Sequence, residues 1–166
     1  MRILEPKIKV DGLSSMDLKK LRQEGFKGIL IDLDNTIVPW RQDQISEETV
    51  AFFTEAKALE YRVCLYTNAR AYRAIPISKV LDVRCLPEAM KPFSAGYQFI
   101  LREMGVKPEE TLVIGDQIFT DTLGGNLAGC CTVLLPPLSS REFIGTKFLR
   151  VLERLCGYHQ YNERNH

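Results

Sequence analysis

Residues 28–36, G-I-L-I-D-L-D-N-T, are the most informative segment for the architecture, because an apolar run ends there in two acids. Residues 28–33 are rich in isoleucine and leucine, which is typical of a strand buried on both faces of a parallel sheet. Asp32 interrupts this run, and a buried carboxylate needs a partner. The stretch therefore predicts a central strand that carries Asp32 and Asp34 at its carboxyl end.

Apolar stretches and helical patterns alternate outward from this strand. Four more strands are predicted, at residues 62–67, 83–86, 111–115 and 131–135. Such alternation predicts an α/β fold, a doubly wound (Rossmann-like) parallel sheet of about five strands with helices on both faces.

The predicted helices have recognisable caps. They are a short helix capped by Ser14 or Ser15, running through Leu21 and ended by Gly25; one from Ser46 to Leu59; one capped by Ser94, running to Met104 before Gly105; a Gly-rich helix near 120–128; and an amphipathic helix over about 141–156. The segment between Asn68 and Pro87 is interpreted as irregular.

The 166 residues contain no repeat, low-complexity tract or Gly/Ser linker. We therefore expect a single domain over 1–166, with a motif-bearing core at about 26–137. The net charge of +1 gives no reason to expect nucleic acid as a partner.

Neither a disulfide framework nor a zinc site is indicated, because the five cysteines include no C-x-x-C pair. The adjacent Cys130 and Cys131 are either a redox pair or two packed side chains. The first residues are charged and interrupted by Pro6, unlike a signal peptide, and no apolar run approaches the ~18 residues of a membrane span. A cytoplasmic protein is expected, and it can still lie against a membrane.

Polar side chains follow four of the predicted strands. They are Asp32 and Asp34, Thr67 and Asn68, Lys91, and Asp116, with Asp121 opening the next helix. Ligands of open α/β sheets bind at the carboxyl ends of the strands, so these residues predict a binding site.

Each of these residues has a simpler interpretation when it is taken alone. Asp34 with Asn35 is a possible turn pair, Asp121 a helix cap, and Lys91 an exposed loop cation. Together, several carboxylates and a lysine at one sheet edge favour a site for a hard cation, and Mg²⁺ prefers such oxygen ligands.

The motifs resemble those of the haloacid dehalogenase superfamily of phosphatases, in the same order. They are D-L-D-N-T (32–36), Thr67, Lys91-Pro92 and G-D-Q-I-F-T-D (115–121). Four motifs on the expected elements are far more specific than one D-x-D-x-T. The stretches L-D-N-T-I-V-P-W, G-D-Q-x-x-T-D-x-L-G-G-N and K-F-L-R-x-x-E are similar to the YqeG-like branch of subfamily IIIA, which includes phosphatidylglycerophosphate phosphatases of mitochondria and plastids.

The resemblance implies roles for the residues. Asp32 would attack phosphorus and form an aspartyl-phosphate, and Asp34 would act as general acid and base. Thr67 and the backbone N–H of Asn68 would bind the phosphoryl group, and Lys91 would neutralise charge. An acid at the second position, Asp34, distinguishes the family's phosphatases from members with other chemistry.

The resemblance also implies Mg²⁺ as the cofactor. Asp32, Asp116 and the backbone carbonyl of Asp34 would ligate it, and Asp121 would support that shell.

A large or surface-bound substrate is expected, because residues 35–46 and 68–87 are too short for the cap domain that often closes the site in this family. The resemblance implies phosphatidylglycerophosphate, an anionic phospholipid.

Trp40 either lines the entrance or packs on the sheet rim. The C-terminal helix carries cations around an apolar side, so it either touches lipid headgroups or is a packed terminal helix with a solvated face; these cations are Arg141, Lys147, Arg150 and Arg154.

Two alternatives stay open. One is a capless phosphatase of a soluble sugar or nucleotide phosphate. The other is a non-catalytic phosphate-binding or signalling module. A receiver-like module would need its phospho-acceptor at the third strand, which carries no acid before Glu88.

Overall fold

The computed structural model describes residues 2–139 and Val151. One sheet has the strand order β1-β6-β5-β2-β3-β4, and every neighbouring pair is parallel. The strands are β1 (Ile8–Lys9), β2 (Gly28–Ile31), β3 (Arg62–Tyr66), β4 (Arg84–Leu86), β5 (Thr111–Gly115) and β6 (Cys131–Leu134). The predicted doubly wound parallel sheet is confirmed.

The described residues form six strands, where about five were predicted. The additional strand is β1, which has two residues and pairs with β6 through Ile8 and Val133. An isolated pair of residues has no periodicity of its own, and its strand conformation depends on hydrogen bonds such as Lys7 N–H to the Thr132 carbonyl, 3.0 Å.

Five α-helices connect these strands: α1 (Leu18–Gln23), α2 (Glu47–Ala58), α3 (Ala71–Leu81), α4 (Ser94–Met104) and α5 (Leu123–Ala128). Short 3₁₀ turns lie at Arg2–Leu4, Leu13–Ser15 and Pro108–Glu110, and a π-helical turn, Ile118–Thr122, precedes α5.

Three predicted caps hold and two do not. Gly25 follows the last turn of α1 at φ 104°, and its N–H donates to the Arg22 carbonyl at 3.2 Å. Ser46 caps α2 by accepting from Thr49 N–H, and Gly105 ends α4 in the left-handed conformation. The cap of α1 is Asp17, whose carboxylate accepts from Lys20 N–H at 2.8 Å, while Ser14 and Ser15 lie in the preceding 3₁₀ turn. Ser94 is the first residue of α4 and not its cap.

Helix α3 occupies the segment that was interpreted as irregular. Pro76 lies inside it and has no backbone N–H to donate, which weakens the helical signal in the sequence. Ala74, Ile77 and Leu81 are nevertheless buried. Packing of this apolar side against the sheet outweighs the cost of the proline.

The helices cover both faces of the sheet, as predicted. Alternate residues of β2 point to opposite faces. Ile29 and Ile31 pack with side chains of α1, α2 and α3, while Leu30 packs with side chains of α4. The central strand is therefore buried on both sides and along its whole length.

The predicted C-terminal helix at about 141–156, apart from Val151, lies outside the described residues. Among the residues that are described, none of the helices has the length and apolar character needed to span a bilayer.

Candidate active site

The sheet topology brings the predicted residues to one edge. Asp32 directly follows β2, Thr67 directly follows β3, and Asp116 directly follows β5. Lys91 lies in the segment between β4 and α4. Because neighbouring strands are parallel, their carboxyl ends meet at this edge.

A buried lysine joins two of the acids. Lys91 Nζ donates to Asp32 Oδ1 at 2.7 Å and to Asp121 Oδ1 at 2.6 Å. The three side chains are only 2%, 7% and 3% exposed, respectively. Burial lowers the pKa of Lys91, but the two carboxylates offset this effect and the net shift is upward. The ammonium is therefore held in its charged form, and the interpretation of Lys91 as an exposed loop cation is wrong.

Asp116 completes a group of three acids. Carboxylate oxygens of Asp32, Asp116 and Asp121 lie within 4.8 Å of one another, and all three residues are buried. Thr36 Oγ1 donates to Asp116 Oδ1 at 3.3 Å. Burial raises the pKa of Asp121 to about 6, an effect that Lys91 opposes.

These residues fit a divalent cation with oxygen ligands. Three carboxylates are buried together here, and Lys91 is the one ammonium that contacts them among the described residues. Negative charge crowded in a poorly solvated site is costly, and a hard cation such as Mg²⁺ relieves that cost.

The carboxylate of Asp34 belongs to a different cluster. Arg73 Nε and Nη2 donate to Asp34 Oδ1 at 3.0 and 2.6 Å. Burial raises the pKa of Asp34 above its ordinary value, although hydrogen bonding and the charge of Arg73 oppose this shift. Asp34 also lies in a turn, as its alternative interpretation proposed, with Asn35 at φ 61°.

Asn68 and Thr67 organise the segment that carries Lys91. The Asn68 side chain accepts from Lys91 N–H at 2.7 Å and donates to the Lys91 carbonyl at 3.2 Å. Thr67 is buried, and its carbonyl accepts from Ala89 N–H at 3.0 Å. The ends of β3 and β4 are thus joined beside the ammonium.

The alternatives for Asp121 and for the two adjacent cysteines also have structural answers. Asp121 Oδ2 accepts from Gln117 N–H at 3.2 Å, so this acid stabilises the start of its helical turn as well as contacting Lys91. Trp40 is half-buried, and the Arg41 guanidinium lies 4.4 Å from the centre of its ring. Cys130 and Cys131 pack into the cores on opposite faces of the sheet, which supports two packed side chains rather than a redox pair.

Thr36 and Arg73 contact the predicted acids but were not assigned to the site from the sequence. Thr36 lies inside the quoted motif, and the T of D-x-D-x-T was the available signal. Arg73 lies in α3, which was not predicted, so nothing placed it near Asp34.

Comparisons with known proteins agree with this architecture. The model of a family described as haloacid dehalogenase-like hydrolase matches residues 19–129. The chain is 35% identical over 136 residues to "Probable phosphatase YqeG" of Bacillus subtilis (strain 168), covering 82% of this chain and 79% of that protein.

Two more distant proteins are also similar. The chain is 26% identical over 146 residues to "Phosphatidylglycerophosphate phosphatase 1, chloroplastic/mitochondrial" of Arabidopsis thaliana, and it spans only 42% of that relative's length. The cobalt-bound form of the deoxy-D-mannose-octulosonate 8-phosphate phosphatase from Haemophilus influenzae superposes with a TM-score of 0.57, at 15% identity over 70% of each chain. This last similarity shows a shared fold.

The family match covers most of the chain, and the relative at 35% identity is matched over 79% of its own length. The chain therefore belongs to the haloacid dehalogenase-like hydrolases, as a phosphatase of the YqeG type.

Proposed function

We propose that this phosphatase hydrolyses phosphomonoesters through a covalent phosphate on Asp32, with Mg²⁺ as its cofactor and phosphatidylglycerophosphate as its substrate. One observation carries the chemical part of the proposal. Lys91 joins Asp32 to Asp121 beside Asp116, in a buried cluster at the carboxyl ends of the strands. In a phosphatase, such a cluster suits nucleophilic attack on phosphorus.

Asp32 is the nucleophile in this proposal. Its carboxylate is fixed by the Lys91 ammonium, and attack on phosphorus forms an acyl-phosphate that divides one difficult displacement into two. Asp34 donates a proton to the leaving oxygen, and it later accepts a proton from the water that attacks the acyl-phosphate.

Thr67 and the backbone N–H of Asn68 bind the phosphoryl oxygens, and Lys91 offsets the negative charge that collects around Asp32. Phosphoryl transfer depends mainly on positioning and charge stabilisation. The short contacts of Lys91 support both functions.

Asp32, Asp116 and the backbone carbonyl of Asp34 would hold Mg²⁺, with Asp121 in a supporting position. When bound, the ion would stabilise negative charge on the phosphoryl group. The support for this assignment is the set of three buried carboxylates described above.

A lipid substrate is supported by the name of the Arabidopsis relative, a phosphatidylglycerophosphate phosphatase. The surroundings of Lys91 add a physical reason. Met90 and Phe93 flank this residue in sequence and are 68% and 67% exposed, which suits contact with acyl chains. We propose that the enzyme acts at a membrane surface without spanning it.

The predicted basic C-terminal helix falls, apart from Val151, outside the described residues, so both the helix and its contact with lipid stay predictions from the sequence. Replacement of Arg150 and Arg154 by glutamate tests it. Weaker binding to anionic vesicles, with a larger difference at low salt than at high salt, would support the contact.

The substrate assay compares phosphate release from phosphatidylglycerophosphate in mixed micelles with release from soluble sugar and nucleotide phosphates, all with Mg²⁺. We expect the lipid to have the highest kcat/KM. A clear preference for a soluble phosphate would overturn the lipid assignment and establish the alternative function. Phosphate release from none of these compounds would contradict the chemical proposal itself.

A further inference from the structure

Arg73 makes four hydrogen bonds at the mouth of the candidate site. Its Nε and Nη2 donate to Asp34 Oδ1, its Nη1 donates to Asp43 Oδ1 at 2.7 Å, and its Nη2 also donates to the Gln42 carbonyl at 2.9 Å. The Arg73 side chain is 14% exposed. A guanidinium with this number of contacts has few alternative positions, so it is a rigid support for its partners.

The contact with Asp34 is asymmetric. Both nitrogens reach the same oxygen, Oδ1, rather than one oxygen each. Arg73 therefore fixes Oδ1 with two donors, and a backbone hydrogen bond from Arg41 also reaches this carboxyl group. The Asp34 carboxyl group is thus held in one orientation.

The two acids that share Arg73 differ in their surroundings. The Asp34 side chain is 24% exposed, whereas the Asp43 side chain is 81% exposed. An exposed ion pair contributes little to stability, so Asp43 and Gln42 serve mainly to orient the guanidinium. The contact with Asp34 is the more shielded of the two.

Arg73 also connects three segments of the site. It lies in the first turn of α3, which begins five residues after β3 ends. Its partners are Asp34, three residues after β2, and residues 42–43 of the following loop. Movement of α3 relative to β2 would therefore displace the Asp34 carboxylate.

We propose that Arg73 is a positioning residue for Asp34 and holds its carboxyl group toward the leaving oxygen of the substrate. The inference rests on the proposed function. In the first step, the Asp32–phosphorus bond forms while the phosphorus–oxygen bond to the leaving alcohol breaks, and that oxygen takes the proton of Asp34. In the second step, water attacks phosphorus, its proton passes to Asp34, and Asp32 is released. Arg73 exchanges no proton and acts only through its contact with Asp34.

The dependence of the rate on the leaving group tests this role. An alkyl phosphate needs a proton on its leaving oxygen, whereas 2,4-dinitrophenyl phosphate releases a stable phenolate without one. We measure kcat/KM for both, because kcat/KM reports only steps up to formation of the covalent phosphate. For Arg73→Gln we expect kcat/KM to fall about 10- to 100-fold on the alkyl phosphate and less than about 3-fold on the aryl phosphate.

Two variants grade the effect. Arg73→Lys keeps the charge but loses the planar fork, and we expect it to recover part of the alkyl phosphatase activity. Asp43→Asn removes only the distal partner, and we expect a smaller loss with the same leaving-group dependence. Lys79→Gln, which removes an exposed cation from the same helix, is the matched control and should leave both values unchanged.

Equal losses on the two substrates, or none on either, would overturn the positioning role. If Arg73→Gln does not fold by circular dichroism, the same comparison with Asp43→Asn and Arg73→Lys decides the question. Failure of the proposed function is distinguishable, because the wild-type protein would then release phosphate from neither compound.

Discussion

Asp32 and Asp34 are separated by one residue, yet they meet different cations. Asp32 is buried and accepts from the Lys91 ammonium, which also contacts Asp121. Asp34 is partly exposed and accepts from the Arg73 guanidinium, which also contacts the surface residue Asp43. The two aspartates are chemically identical, but Asp32 lies in a poorly solvated environment and Asp34 in an accessible one.

This difference suits the two proposed roles. A nucleophile must be held in place, and the buried Lys91 ammonium does this for Asp32. An acid and base must exchange protons with the substrate and water, and therefore needs an accessible oxygen. Burial depth and the type of cation distinguish the two aspartates more clearly than their sequence does.

The largest effect is expected for Asp32→Asn, which tests the buried member of the pair. The amide keeps an oxygen that can accept from Lys91 but is not a nucleophile, so phosphate release should fall at least about 10⁴-fold. Phosphate-release kinetics, with circular dichroism as the control for folding, measure this loss. Hydrolysis at the wild-type rate by a folded variant would falsify the mechanism.

Asp34→Asn tests the accessible member. Loss of general acid catalysis should lower kcat/KM on an alkyl phosphate by about 10²- to 10⁴-fold, less than for Asp32→Asn. On 2,4-dinitrophenyl phosphate the first step should survive and the second should slow, giving a burst of phenolate in stopped-flow measurements. A steady rate without a burst would argue against Asp34 as the base of the second step.

Lys91→Met tests whether the buried cation is needed for stability. The substitution leaves Asp32 and Asp121 buried without their ammonium, so the free energy of unfolding should fall by about 3–5 kcal/mol. Urea denaturation in EDTA measures it. Lys27→Met, which removes an ion pair at a 50% exposed lysine, is the control and should lower the free energy of unfolding far less.

The loss of stability in Lys91→Met should depend on pH. Burial already raises the pKa of Asp121 to about 6 in the presence of Lys91, and removal of the ammonium raises it further. A carboxyl with a higher pKa in the folded state binds more protons there, so stability falls as pH rises. The deficit of Lys91→Met should therefore be smaller at pH 5 than at pH 8. A larger loss of unfolding free energy at pH 5 than at pH 8 would contradict the raised pKa of Asp121 in the cluster.

The smallest effect is expected for Thr36→Val, which leaves both aspartates intact. It removes the hydroxyl that donates to Asp116, so the Mg²⁺ concentration for half-maximal activity should rise about 10-fold with little change in kcat. Titration of Mg²⁺ into EDTA-treated protein measures the shift. Full activity of the wild-type protein in excess EDTA would remove the metal from the proposal.

The surroundings of the buried Asp32 could be predicted from the sequence better than those of the accessible Asp34. The apolar run before Asp32, the strand before Asp116 and the capping residues of α2 all produce local signals. These signals were sufficient to place Asp32, Lys91, Asp116 and Asp121 at one edge, because parallel strands bring their carboxyl ends together.

Other features depend on contacts between distant segments. Strand β1 is ordered by its pairing with β6, and α3 forms around Pro76 because its apolar side is covered. Arg73 lies in that helix, so its contact with Asp34 had no local signal. Interactions across 39 residues, as here, are invisible to periodicity and capping rules.

The Lys91 contacts have a kinetic consequence. Lys91 and Asp32 are 59 residues apart, and Lys91 and Asp121 are 30 residues apart. The neighbouring strands β5, β2, β3 and β4 must therefore dock before the ammonium has both carboxylates. Closing such loops is entropically costly and slows folding. Until they close, a collapsed core would hold these charges without partners. The cluster should therefore form after the transition state, and its removal should accelerate unfolding far more than it slows folding.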